Sequence, residues 1–143
     1  MIKPHPDHHD AELVLRLYDL RREAVMRDSR NKIGQFFPKS FEDVSAILAP
    51  AHPLNAAFRQ TSSYWEMAYG MAKHGIVNPD YLAENAGEGL FVFARFHPYL
   101  DRLRKDVSPT MFQNVEWLLQ NSPVARQRYE IIQARVKKMA EGK

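Results

Sequence analysis

The chain has 143 residues, of which 45% are hydrophobic and 26% are charged, and its net charge at pH 7 is +3. This length and composition are those of one soluble globular domain, and the charge is only mildly basic. The absence of cysteine excludes disulfides, thiolate metal sites and a cysteine nucleophile. Because the chain shows neither an apolar leader nor a run of about eighteen apolar residues, we expect a cytoplasmic protein that does not span a membrane.

The first half of the chain predicts three helices behind a disordered arm. Residues 1–8 hold prolines, charges and histidines without an apolar pattern, which predicts disorder. Apolar residues three and four apart predict a long helix over residues 10–33. Ser40 is placed to cap a short helix over residues 41–48, and a second long helix follows over residues 53–74.

The next part of the chain predicts a short helix, a buried apolar segment and a kink. Asn78 is placed to cap a short helix over residues 79–85. Residues 90–96 are apolar on all sides and suit either a buried strand or a central helix. A single β-branched residue and the lack of a second strand candidate favour the helix. Pro98 then predicts a kink, after which residues 99–105 continue as a helix.

Two Ser-Pro pairs, at residues 108–109 and 122–123, predict the starts of the last two helices. Serine caps a first turn, and proline fits the position after it because that N–H has no partner in the helix. Short connections between long helices favour antiparallel neighbours. The sequence therefore predicts an all-α protein, an antiparallel helical bundle of about five long and two short helices. The bundle forms one domain over residues 9–140, behind a disordered arm at residues 1–8.

Four stretches of the chain carry a resemblance to a protein family. They are Arg21-Arg22-Glu23, Tyr64-Trp65-Glu66-Met67-Ala68, His74-Gly75-Ile76 and Gly89-Leu90-Phe91-Val92-Phe93. In these stretches the chain resembles an uncharacterised bacterial family of small all-helical proteins, and the similarity covers most of its length. The resemblance implies a helical fold and brings no assigned activity, so it assigns no functional residue.

Three charged residues stand among apolar residues of predicted helices: Glu66, Arg95 and Glu116. A charge removed from water costs several kcal/mol unless it is paired. We therefore interpret the three as candidates for one buried Arg–Glu network. Such a network is most often a structural ion pair, although the same arrangement also shifts pKa values in binding and active sites.

No motif in the chain points to catalysis, a cofactor or a metal. The sequence has no Glu-x-x-His, His-Glu-x-x-His, calcium-loop, Gly-x-Gly-x-x-Gly or Walker A pattern, and no serine lies in a nucleophile elbow. His5, His8 and His9 offer imidazoles beside Asp7 and Asp10, but a disordered arm does not hold ligands in tetrahedral order. We therefore expect no catalytic residue, no cofactor and no metal site.

The basic residues of the first and last predicted helices do not favour nucleic-acid binding. In residues 10–33 acidic side chains interleave with basic ones, which is typical of a solvated helix face, although the last helix is more basic. A helix-turn-helix over residues 73–96 would make the apolar segment 90–96 its recognition helix. That segment lacks the polar side chains that read base edges.

These observations favour a non-enzymatic helical interaction module. We expect it to self-associate as a homodimer or to bind a protein partner, through amphipathicity left over on the first or last helix. The alternative is a helical sensor that binds a small apolar or amphipathic ligand in an aromatic pocket, where an arginine pairs with a ligand anion. The residues of that pocket would be Arg59, Tyr64, Trp65, Glu66, Tyr69, Phe91 and Arg95.

Overall fold

The computed structural model describes residues 1–142, and these residues form helices and no strand. The helices are α1 (His8–Arg21), α2 (Ala24–Gly34), α3 (Phe41–Ile47), α4 (Asn55–Lys73), α5 (Pro79–Asn85), α6 (Glu88–Phe96), α7 (Leu100–Asp106), α8 (Gln113–Asn121) and α9 (Pro123–Glu141). A short 3-10 helix, His97–Tyr99, separates α6 from α7. The all-α prediction is confirmed.

Side-chain caps begin several of these helices where the sequence predicts them. Ser40, Asn78 and Ser122 each accept a hydrogen bond from a first-turn N–H, at 3.2, 2.8 and 3.0 Å. Proline follows both Asn78 and Ser122 at the first helical position. The apolar segment 90–96 is helical as expected, and Pro98 lies in the 3-10 helix that follows it.

The prediction of one helix over residues 10–33 is wrong, because this part of the chain forms two helices. Glu23 leaves the helical conformation, with φ −58° and ψ 144°. Its carboxylate accepts hydrogen bonds from the N–H groups of Val25 and Met26, at 3.0 and 3.1 Å. A side chain inside the predicted helix therefore caps a new helix, α2, and periodicity alone does not show this break.

The predicted helix start at residues 108–109 is also wrong, because α8 begins at Gln113. Phe112 precedes it with φ 58°, a left-handed conformation that costs a residue other than glycine about 1–2 kcal/mol. The Phe112 ring is buried against Phe58, Phe93 and Phe96, with ring centroids 6.5, 5.4 and 5.5 Å apart. This burial offsets the backbone cost.

Residues 1–7, most of the segment predicted as a disordered arm, precede α1 and contact the body of the protein. The Lys3 ammonium lies 2.5 Å from the Asp10 carboxylate. That carboxylate accepts a hydrogen bond from the Asn78 N–H at 2.8 Å, and the Asn78 side-chain amide donates to the Lys3 carbonyl at 2.9 Å. The three residues connect the N-terminal segment and α1 to the start of α5.

Two helices organise the core. α4 packs against α2 and α8, whereas α6 packs against α9. Tyr69 of α4 and Phe93 and Phe96 of α6 are among the largest fully buried side chains. Burying one such aromatic side chain stabilises the fold by about 1.5–3 kcal/mol. α9 packs against α5, α6 and α8, and a cavity lies along each of two of its sides.

Candidate functional site

Three of the four aromatic residues of the predicted pocket, Tyr64, Trp65 and Tyr69, lie together in or against the core. Trp65 and Tyr69 are 3% and 0% exposed, and their rings stack with centroids 5.9 Å apart. The Tyr69 hydroxyl donates to the Ala86 carbonyl at 2.7 Å, and burial raises the pKa of Tyr69 above its usual range. Tyr64 contacts the Trp65 ring edge-on and donates its hydroxyl to the Leu17 carbonyl. Tyr64 and Tyr69 thus pack on the Trp65 ring, and their hydroxyls are hydrogen-bonded to backbone carbonyls.

The other predicted pocket residues lie apart from these rings. Arg59 donates to the Asn55 side-chain carbonyl at 2.9 Å within α4. Phe91 and Arg95 are both on α6, but Phe91 lines a cavity beside α1 and Arg95 lines a different one beside the segment that joins α2 to α3. Glu66 reaches the start of α8. The seven residues therefore do not form one pocket: Arg59 is exposed on α4, Glu66 caps α8, and the others are divided among the core and two separate cavities.

The three charged residues considered as one network have separate partners. Arg95 donates to three backbone carbonyls. Glu116 pairs with Arg104 at 3.1 Å. Glu66 accepts from the Asn114 and Val115 N–H groups of α8, and burial raises its pKa in spite of these bonds.

One ion cluster was not visible in the sequence. The Glu88 carboxylate receives the Arg30 guanidinium through two bonds, at 2.6 and 2.8 Å, and the Arg21 guanidinium at 3.1 Å. Contact with Glu88 raises the pKa of Arg30. The partners are 58 and 67 residues apart in the chain, so no local spacing indicates them. The cluster ties α1 and α2 to the start of α6 and keeps one positive charge in excess.

A groove of about 620 Å³ lies beside this cluster, between α1 and α9. Its apolar part includes Tyr18, which is 40% exposed, and Ile131, which is 56% exposed, with Phe91 between them on α6. Arg128 and Arg135 stand on its α9 side. We call this feature the α1–α9 groove; it is an exposed apolar surface with basic residues at its edge.

A second cavity, of about 550 Å³, lies on the other side of α9. Arg95 of α6 forms part of its wall, and the elbow between α2 and α3 contributes Phe37 and Pro38. Lys137 of α9 lines it as well. We call this feature the Arg95 cavity. It places a buried cation beside apolar side chains, in the volume range of small-molecule sites.

A histidine and a tyrosine meet where α9 crosses the end of α6. His97 Nδ1 lies 2.7 Å from the Tyr129 hydroxyl, and the His97 ring stacks on Phe93 with centroids 4.6 Å apart. Burial lowers the pKa of His97 and raises that of Tyr129. Both groups are therefore uncharged at neutral pH, and their hydrogen bond joins α9 to the end of α6.

The described residues hold no ready-made metal site. No group of three or more His, Asp or Glu side chains in residues 1–142 is arranged to bind a metal ion. In the first turn of α1 the His8 Nε2 lies 3.4 Å from the Glu12 carboxylate, and both side chains are largely exposed. Asp7 and Asp10 pair with the Lys3 ammonium, and the Asp7 carboxylate also accepts the backbone N–H of His9.

Among residues 1–142, every helix is too short or too polar to cross a lipid bilayer. No curated protein is significantly similar to the chain. No solved structure is significantly similar to it either. The family model DUF4760, described as a domain of unknown function, matches residues 6–122, which include α1 to α8. The chain belongs to this DUF4760 family.

Proposed function

We propose that this protein is a cytoplasmic, non-enzymatic interaction module, an antiparallel helical bundle that binds a partner protein in the α1–α9 groove. The observation that carries the proposal is the exposed apolar surface of Tyr18 and Ile131, which face a common groove from two helices. Paired helices with an open apolar groove are a common way to bind an amphipathic helix. Leu15, one turn before Tyr18, is 70% exposed and extends this apolar surface along α1.

The charge at the groove determines the kind of partner. Arg128 and Arg135 line it, and neither forms an ion pair with another of residues 1–142. Two carboxylates also line the groove, Glu84 and Glu88, and Glu88 is already shared by two arginines. Because three arginines line it, Arg21, Arg128 and Arg135, the groove keeps a net positive charge. Complementary charge favours association and selects partners. The groove therefore suits an acidic amphipathic helix.

The same charge disfavours a second copy as the occupant. A twofold dimer through α9 would bring Arg128 and Arg135 close to their own equivalents. The chain as a whole carries +3, which adds to this repulsion. Self-association, which we expect from the sequence, is therefore the competing possibility. A crosslink at the groove distinguishes a second copy of the chain from a different protein.

Photocrosslinking in the native cell tests the proposal. Ile131 is replaced by the photoreactive amino acid p-benzoylphenylalanine, and Val107, which is 50% exposed at the end of α7, receives it as the matched control. We expect a crosslink at position 131 to an acidic amphipathic segment of another protein, identified by mass spectrometry of the crosslinked peptide. The double substitution Arg128→Glu and Arg135→Glu should abolish it.

Three results would contradict the proposal. A crosslink between two copies of the chain at position 131 would replace it with self-association. Equal crosslinking at positions 131 and 107 would show that the groove has no preferred occupant. A crosslink that survives the charge reversal would show that acidity is not what the groove recognises.

A further inference from the structure

Arg95 is an unusual residue of the central helix. It is only 6% exposed, and its guanidinium donates three hydrogen bonds to backbone carbonyls: from Nε to Phe36 at 2.9 Å, from Nη1 to Phe91 at 2.6 Å and from Nη2 to Gly34 at 2.9 Å. It also stands over the Phe37 ring, 4.8 Å from the centroid. The side chain is thus held in one position by α6 and by the end of α2.

The positive charge of Arg95 has no counter-ion in the described residues. No carboxylate of residues 1–142 forms an ion pair with it. Glu88, whose charge acts on Arg95 from a distance, is already bound by Arg21 and Arg30. Carbonyl groups offer partial charges only, and a buried ion without a partner costs several kcal/mol. Two of the five N–H groups of the guanidinium also remain after the three bonds.

The Arg95 cavity gives this charge an apolar surrounding. Its volume of about 550 Å³ lies within the range of sites that take small organic molecules. Apolar side chains reach it from the α2–α3 elbow, from α6 and the 3-10 helix after it, and from α9: Phe37, Pro38, Ala94, Tyr99, Ala134 and Val136. Lys137 adds a second cation on α9. Glu130 also lines the cavity, about 10 Å from Lys137 along the helix axis.

We propose that the Arg95 cavity binds a small organic anion with an apolar body, such as a medium-chain monocarboxylate. Arg95 and Lys137 bind the carboxylate, and the apolar wall covers the hydrocarbon part. A carboxylate is the natural partner of a fixed guanidinium, because charge-assisted hydrogen bonds are about twice as strong as neutral ones. This site is separate from the α1–α9 groove and does not depend on the function proposed for it.

Calorimetric titration with octanoate tests the proposal, and octan-1-ol is the uncharged control. We expect saturable binding of octanoate, and binding of octan-1-ol at least about tenfold weaker because it lacks the charge. In NMR spectra the Arg95 Nε–H signal should shift on addition of octanoate. The substitution Arg95→Lys should weaken octanoate binding about tenfold, since lysine cannot reproduce the fork of donors.

A second variant keeps the test decisive if Arg95→Lys does not fold. Ala134→Trp adds a ring at the cavity wall and leaves the three Arg95 hydrogen bonds unchanged, so it should abolish octanoate binding. Lys138→Trp, on an exposed position of α9 outside the cavity wall, should leave it unchanged. The proposal is overturned if octan-1-ol binds as tightly as octanoate, if Ala134→Trp binds octanoate normally, or if wild-type protein shows no saturable binding. In each of these cases Arg95 serves only to cap α2.

Discussion

Glu66 and Asn114 bind each other reciprocally across α4 and α8. The Glu66 carboxylate accepts the Asn114 N–H at 3.0 Å, and the Asn114 side-chain amide donates to the Glu66 carbonyl at 2.9 Å. The same carboxylate accepts the Val115 N–H at 2.8 Å. A residue of one helix thus caps the first turn of another, where a negative charge also interacts favourably with the helix dipole. Gly70 leaves the space that the Asn114 amide occupies.

This relationship makes Asn114 more important for stability than an ordinary surface asparagine. Asn114→Ala removes the side-chain bond to α4 and should lower the free energy of unfolding by about 1–2 kcal/mol. Asn121→Ala is the matched control, because the Asn121 amide bonds only to Trp117 within α8; we expect a change below about 0.5 kcal/mol there. Urea unfolding followed by circular dichroism measures both. Equal effects of the two substitutions would contradict the inter-helix role.

Two glycines predict opposite effects of the same substitution. A Cβ at Gly89 would overlap the Tyr69 ring, which is fully buried, so Gly89→Ala should destabilise the protein by about 1–3 kcal/mol. A Cβ at Gly34, the last residue of α2, would meet nothing within 4 Å. Gly34→Ala should therefore stabilise it by about 0.5 kcal/mol, through higher helix propensity. The measurement is the urea midpoint of each variant. A stabilising Gly89→Ala would show that Tyr69 has room to move.

Because of Asp7, we expect the contribution of the N-terminal segment to the free energy of unfolding to depend on pH in the acid range. The hydrogen bond from Lys3 and those from the first turn of α1 lower the pKa of Asp7 from 3.8 to about 2. Because the folded pKa is depressed, the contribution is present above pH 3.8 and is lost as the pH falls toward 2. In Asp7→Asn the cap remains but the charge is absent. The difference in unfolding free energy between wild type and this variant should shrink over that interval; a constant difference would disprove the ion pair's role.

Because of His97, we also expect the free energy of unfolding to depend on pH closer to neutrality. Burial lowers its pKa below the ordinary value of 6.5, opposed in part by Glu116. Its contribution to stability is therefore complete above pH 6.5 and is lost as the pH falls through the depressed folded pKa. His97→Phe keeps an aromatic ring against Phe93 and removes the titration, so its unfolding free energy should vary less with pH below 6.5. Tyr129→Phe, which keeps the imidazole, should retain the dependence. An unchanged pH profile in His97→Phe would contradict this account.

Helix caps and a wholly apolar helix could be predicted from the sequence, because they depend on interactions between residues close together in the chain. A cap such as Ser40, Asn78 or Ser122 acts within one helical turn, and the structure contains all three. The helix over residues 90–96 was also predictable, since a wholly apolar run without strand partners has few other solutions.

The helix break at Glu23 could not be predicted, because it depends on a contact with Glu88, a residue far away in the sequence. In one continuous helix Arg21 and Arg30 would lie nine residues apart, which places their side chains on opposite faces. The break lets both reach Glu88, and Glu88 is 58 residues from Arg30. Periodicity in residues 10–33 carries no information about that contact.

The candidate sites were predictable only in part, for the same reason. Arg95 stood out in the sequence as a charge among apolar residues, but its partners are the carbonyls of Gly34 and Phe36, which any residue type would offer. Glu66 stood out in the same way, although it caps α8 from 48 residues away. Trp65 and Tyr69 were candidates for a ligand pocket in the alternative prediction and instead fill the core, because aromatic rings at helical spacing occur in both settings.

The position of α9 has a consequence for both proposed sites. Ile131 and Arg135 face the α1–α9 groove from one flank of this helix, whereas Ala134 and Lys137 face the Arg95 cavity from the opposite flank. A sideways displacement of α9 that widens one space narrows the other. Two occupants that each displace α9 toward the other site would then lower one another's affinity by the same factor, as thermodynamic reciprocity requires. Titrating octanoate in the presence and absence of the groove's partner would measure that factor, and a value of one would show that α9 is fixed.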